Sequence, residues 1–207
     1  MNEKIKELSV LIQQLQERME EEFQKSRAYY HVKLHGKIAS FAEDIIALHK
    51  QNRIKWSTFF KQAKLGHVIT APVIYSMIVP LVFLDFFVTL YQHICFRVYN
   101  IPLVKRTTFM DIDRHHLAYL NAVEKLNCLY CSYGNGVLAY AREIAARTEQ
   151  FWCPVKHATR VRDPHHYYMK FLSYGDAQGY QQGLEQLRKD AQNLEDPAFV
   201  TEERNDP

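Results

Sequence analysis

Four side chains stand at a spacing that suits a metal ion. Cys128, Cys131, Cys153 and His157 form C-x2-C-x21-C-P-V-K-H. Three thiolates and one imidazole make a tetrahedral zinc set, and C-x2-C is its usual first half. Geometry limits that reading. Val137 to Trp152 carries apolar residues at helical spacing and would be about 24 Å long as a helix. Zinc–ligand bonds are only about 2.0 to 2.3 Å, so one ion cannot reach both ends. A second grouping arises if Gly134-Asn135-Gly136 is the turn of an antiparallel helical hairpin. The start of the first helix then meets the end of the second. Asp111, Asp113, His115 and His116 would lie near Cys153 and His157 and offer mixed ligands for zinc or iron. The candidate ligands are therefore Asp113, His115, His116, Cys128, Cys131, Cys153 and His157, not all in one site.

Other chemistry has less behind it. Cys128 and Cys131 could form a redox dithiol, but such pairs are activated at a helix start, and these sit at a helix end. The bland alternative is that the cysteines and histidines pack as ordinary side chains. Glu143 and Glu149 lack a His three residues later, so a di-iron bundle is not completed. Glu124 with Arg147, and Arg142 with Glu149, would pair across the hairpin. His31 and His35 stand at i, i+4 without a nearby carboxylate. His165-His166-Tyr167-Tyr168 reads as a loop or helix start and as an aromatic cluster at a bilayer edge. No P-loop, dinucleotide fingerprint, G-x-S-x-G or H-E-x-x-H motif occurs.

The elements that would carry these residues are mostly helical. Ile5, Leu8, Ile12, Leu15 and Met19 repeat at the 3, 4 spacing of a coiled-coil seam. Leu34, Ile38, Phe41, Ile45 and Leu48 continue a stripe of the same kind, so residues 1–52 read as one long helix. Residues 53–66 interleave Trp56, Phe59 and Phe60 with Arg53, Lys55, Lys61 and Lys64, as in a helix at a membrane surface. Asp113 is a candidate N-cap for a helix from His115 to Tyr130, and a second helix follows to Trp152. Tyr180, Leu184, Leu187, Ala191 and Leu194 mark an amphipathic helix over 176–194. Residues 195–207 read as a disordered acidic tail.

The middle of the chain stands apart. Between Lys64 and Arg97 only Asp85 is charged, and Val68 to Leu84 carries no charge at all. Membrane helices need roughly 20 apolar residues. Residues 67–97 are predicted to enter the membrane, either as one span or as a re-entrant hairpin broken near Pro80. Asp85 would be a proton or metal site, or else protonated or paired with His93 or Arg97. The polar start of the chain argues against a cleaved leader.

Composition agrees with a helical protein and hides its membrane part. The chain has 207 residues with 26 Lys and Arg against 23 Asp and Glu, a net charge of +3. That balance gives no global footprint for nucleic acid. Seven Gly and seven Pro are too few for an all-β fold with a turn every ten residues. The mean hydropathy of -0.32 averages polar ends and an apolar middle.

The stretch IDRHHLAYLNAVEKLNCLYCSYGNGVLAYAREIAARTEQFWCPVKHA, with APVIYSMIVPLVFLDFFVTLYQHICF before it, resembles an uncharacterised family of proteobacterial membrane proteins. The resemblance covers roughly residues 65–180. It implies a bacterial membrane location and transfers no activity or site residue. The expectation is a mainly α protein of the bacterial inner membrane with its N-terminal region cytoplasmic. Its parts are a long N-terminal helix, one membrane-inserted segment, a Cys/His-bearing helical hairpin over 98–175 and a C-terminal amphipathic helix. The function expected is non-enzymatic interaction or scaffolding. Its partners would be the lipid bilayer and, through the terminal helices, a second copy or another protein. The alternative is metal or cofactor binding, with redox activity, at the hairpin.

Overall fold

The computed structural model describes residues 3–35, 38–55, 57–58, 61 and 64–194. Trp56, Phe59, Phe60 and the 195–207 tail lie outside them, and so do the expectations placed on those residues. The described chain is mainly helical. Helix α1 spans Glu3–Tyr29. It does not continue to residue 52 as the stripe predicts. His31 takes a left-handed conformation with φ of 53°. Its N–H bonds to Ala28 O, and the Val32 N–H reaches back to Arg27 O. This pair of bonds is the Schellman closure that ends many helices. Two short antiparallel strands follow, β1 (Lys33–His35) and β2 (Ile38–Ser40). His31 and His35 therefore share no helix. Helix α2 spans Glu43–Gln51, and the His49 ring packs between Phe41 and Tyr119.

Helix α3 runs from Leu65 to Tyr99 and, among the described residues, is the one helix long and apolar enough to cross a membrane. It does not reverse at Pro80, so the re-entrant hairpin is overturned. Pro80 lacks an N–H, and the Ser76 carbonyl loses its partner four residues on. The ladder tightens locally, with the Met77 N–H on Ile74 O, and then resumes with Leu81 on Met77 O. Gln92–Phe96 form a π-helical turn, in which Gln92 and Phe96 are buried. Asn100, left-handed at φ of 57°, closes the helix, and the Ile101 N–H bonds to Phe96 O.

Helix α4 spans Ala122–Trp152. The Asn121 side chain accepts from the Val123 and Glu124 N–H groups, while Glu124 accepts from the Asn121 N–H. This capping box sets the start, not Asp113, which precedes a short 3-10 turn at Arg114–His116. Pro154 marks the end. The helix passes straight through Gly134 and Gly136, so the predicted hairpin turn is absent. Glycine inside a helix costs about 1 kcal/mol relative to alanine. Close packing accounts for both. A Cβ on Gly136 would lie 2.8 Å from the Phe109 carbonyl oxygen and 2.6 Å from Met110 Sδ. One on Gly134 would lie 3.2 Å from a Leu81 methyl.

Helices α3 and α4 run side by side in the same direction. Tyr75 bonds Asn127, Tyr133 bonds Asp85, Thr89 bonds Tyr140, and Tyr99 stacks on Phe151. The chain between them must travel back. Val104 and Gln92 exchange bonds, Arg106 reaches Asp85, and Met110 lies on Gly136. Phe96, Ile101, Val104, Tyr140 and Ile144 form the core where the three layers meet. Residues after Pro154 fold back over α4, where Tyr167 and Phe171 bury against Ala146. Helix α5 spans Ala177–Gln192 and packs on α4 with Leu187 and Ala191 buried.

Candidate functional site

The seven predicted ligands are not brought together. Cys128 and Cys131 lie on the second and third turns of α4, and Cys153 is its C-cap. In a continuous helix Cys131 and Cys153 are about 33 Å apart, so a single Cys3His site is overturned. Loss of the hairpin removes the second grouping too. Met110 is fixed at Gly136 and Asn121 at the start of α4, so Asp113, His115 and His116 lie along its first half. Cys153 and His157 are at the other end. His115 and His116 face each other with ring centroids 3.9 Å apart. The His157 ring stacks on Tyr168, and the His157 backbone N–H donates to the Tyr168 hydroxyl. Among the described residues, no group of three or more His, Cys, Asp or Glu side chains is placed to hold a metal ion. Burial raises the Cys153 thiol pKa and the Glu149 charge adds to it, so the thiolate is disfavoured.

Helix α4 instead assembles a polar cluster around Glu143 and Arg147. Their i, i+4 spacing puts them on one face, the face that also carries Tyr140 and Ile144 into the core. The Arg147 Nε donates to Glu143 Oε1 at 2.8 Å, and the Tyr167 hydroxyl donates to the same oxygen at 2.7 Å. Arg147 Nη1 donates to the Pro102 carbonyl. The Arg147 side chain is 0% exposed and that of Glu143 6%. A buried charge needs such partners, because desolvation costs several kcal/mol per ion. Burial, reinforced by the Glu143 carboxylate, raises the Tyr167 phenol well above its ordinary range. His166 Nε2 stands 4.0 Å from Glu143 Oε2. Burial lowers its pKa, and the Glu143 charge opposes that shift.

Around this core lie Arg142 paired with Asp163 and His165 paired with Glu149. Arg142, Glu143, Asp163, His165 and His166 border a cleft of about 290 Å³. The expected pairings are thus replaced. Arg147 pairs with Glu143 rather than Glu124, which caps its own helix, and Arg142 pairs with Asp163 rather than Glu149. Tyr167 is buried here rather than placed at a bilayer edge.

A second cluster lies beside α3. Asp85 accepts from Arg106 Nε at 3.0 Å and Nη2 at 2.6 Å, and from the Tyr133 hydroxyl at 3.0 Å. Asp85 is therefore paired, with Arg106 in place of His93 or Arg97. Sequence reasoning missed this partner because it lies on the returning chain, 21 residues away. Val82, Phe86, Thr89, Leu90 and His93 complete a groove of about 530 Å³ there. In both clusters an arginine supplies the counter-charge to the carboxylate and a tyrosine hydroxyl donates to it. Both tyrosine hydroxyls face a carboxylate, but burial and that negative charge raise their pKa and so disfavour the phenolate. The direct effect of the two clusters is to clamp the returning chain and the 154–171 segment onto the two long helices.

No protein-family model, curated protein or solved structure matches the chain.

Proposed function

We propose that the protein is a membrane-anchored, non-enzymatic interaction protein. The apolar flank of α3 is its anchor and α1 its contact with a partner. One observation carries the anchor: large apolar side chains stay exposed along the whole of α3, from Leu65 at 74% to Val98 at 72%. Soluble monomers seldom expose a continuous apolar patch beyond a few hundred Å². The bacterial inner membrane, with the N-terminal region cytoplasmic, is the location favoured by the resemblance and by the basic residues Lys50, Arg53, Lys55, Lys61 and Lys64.

The interaction half of the reading rests on α1. Leu8, Ile12, Leu15 and Met19 form a heptad seam whose members are all more than half exposed. The C-terminal stripe is covered by α4, which leaves the α1 seam as the terminal stripe open to a second chain. Fractionation of expressing cells tests the anchor. The chain should pellet with membranes and stay there through an alkaline carbonate wash; recovery in the soluble fraction contradicts it. Crosslinking tests the seam: Ile12→Glu with Leu15→Glu should abolish crosslinked dimers or partner adducts without releasing the chain from membranes. Unchanged adducts would remove α1 from the account.

A further inference from the structure

We infer that α3 lies in the plane of the membrane surface, with both of its ends on the same side, and does not cross the bilayer. The inference rests on the membrane-anchor reading and concerns how that anchor is used. Its warrant is the parallel pairing of α3 with α4. Tyr75 and Asn127 are in contact 52 residues apart, and Thr89 and Tyr140 51 apart. The two helices therefore keep one register, and whatever depth a residue of α3 occupies, its α4 neighbour shares.

A hydrocarbon core about 30 Å thick takes in about 20 helical residues. If those were the first 20 of α3, Glu124, Lys125 and the Arg114–His116 turn would sit at the same depth. Arg114, His115 and His116 are exposed there. If they were the last 20, the same depth would hold Lys105, Arg106 and Arg142, all exposed. A charged side chain at the bilayer centre costs about 2.5 to 3.5 kcal/mol on insertion scales. Irregular backbone, such as residues 100–105 and 110–113 on either side of the short turn Arg106–Phe109, is tolerated at that depth only when covered by protein. No placement of a perpendicular α3 avoids these groups.

An in-plane helix avoids all of them. Asp85 and Gln92 project from α3 towards α4 and the returning chain. The opposite flank bears Ile69, Val79, Phe83, Phe86, Leu90 and Ile94, each at least 45% exposed. They recur at helical spacing with no charge among them. Such a helix buries its apolar flank about 5 to 10 Å into the headgroup and acyl boundary. The charge on the adjoining chain fits that surface. From Lys50 to Leu84 there are five Lys and Arg residues and no acidic one, which complements anionic headgroups. The length also fits. At about 52 Å, α3 overruns the hydrocarbon core by some 20 Å if upright, whereas lying flat it has no mismatch.

Two single-cysteine reporters test the topology in the full chain, with the four native cysteines changed to serine. Gln51→Cys lies before α3, and Asn193→Cys lies beside Gln192, which bonds the Tyr99 carbonyl at the far end of α3; both positions are exposed. In sealed membrane vesicles, a membrane-impermeant maleimide should label both reporters from the same face and neither from the other. Labelling from opposite faces overturns the in-plane helix while leaving the anchor intact. A chain in the soluble fraction, whether monomeric or with a second copy covering the flank, overturns anchor and inference together. Polarised infrared dichroism of the wild-type chain on oriented bilayers with one third anionic lipid reads the helix orientation without mutation. The amide I signal should place α3 and α4 parallel to the surface, and helix axes along the bilayer normal contradict it.

Discussion

The molecule holds the same trio of side chains twice, an acid, an arginine and a tyrosine, in two surroundings. Asp85, Arg106 and Tyr133 meet beside the apolar helix, where the Arg106 side chain is 43% exposed. Glu143, Arg147 and Tyr167 meet beneath the folded-back segment, where the Arg147 side chain is fully covered. In each, the arginine and the tyrosine hydroxyl both donate to the carboxylate. Burial separates them, because water can replace a lost partner at Arg106 and cannot at Arg147. The first trio pins the returning chain to α3 at the edge of the fold. The second holds the C-terminal half together.

Substitutions can break that comparison. Arg147→Ala leaves a buried carboxylate without its counter-charge and should lower unfolding stability by about 3 to 5 kcal/mol. Chemical denaturation in detergent measures it. Tyr167→Phe removes one hydrogen bond to a charged acceptor and should cost about 1.5 to 3 kcal/mol by the same assay. Gly136→Ala forces a methyl against the Phe109 carbonyl, and overpacking of this kind costs about 1 to 3 kcal/mol. Arg106→Gln leaves Asp85, itself 13% exposed, with its Tyr133 bond and with water entering at the half-exposed Arg106 position, and should cost about 1 kcal/mol. Equal losses at Arg106 and Arg147 would show that burial is not what divides the two trios.

The smallest effect is a pH dependence at His166, which stands 4.0 Å from the Glu143 carboxylate. Burial holds His166 below the ordinary imidazole pKa, which is about 6.5. Below that value the unfolded chain takes up a proton that the folded chain still refuses. Stability from this group is therefore present above about pH 6.5 and declines as pH falls through the lowered native pKa. Stability measured between pH 7.5 and 5 should fall less in His166→Gln than in the wild type. A parallel decline in both assigns the dependence elsewhere.

How far the sequence revealed this can be followed residue by residue. Helical class, the apolar segment and the C-terminal helix were legible because each rests on local periodicity, which short-range packing obeys. Gly134-Asn135-Gly136 misled because glycine serves two purposes, turning a chain and letting another chain approach closely. Only the approach of Phe109 and Met110 distinguishes them, and that is a tertiary fact. The end of α1 was hidden because His31 occupies a left-handed position more often filled by glycine. The metal grouping failed with the hairpin on which its second form depended. Glu143 and Arg147 were readable as an i, i+4 pair, but their joint burial depends on Tyr167 and Pro102, distant in sequence. The returning chain that supplies Arg106 has no periodic pattern to announce its path.

The central claim is that the exposed flank of α3 binds the bilayer. Flotation of the purified chain with vesicles holding one third anionic lipid tests it most directly, with a Phe83→Asp, Phe86→Asp, Leu90→Asp variant beside the wild type. These side chains are exposed, so the variant should keep its helical circular-dichroism spectrum. The account predicts that the wild type floats with the vesicles and the variant stays at the bottom of the gradient. A folded variant that floats as well as the wild type would contradict it.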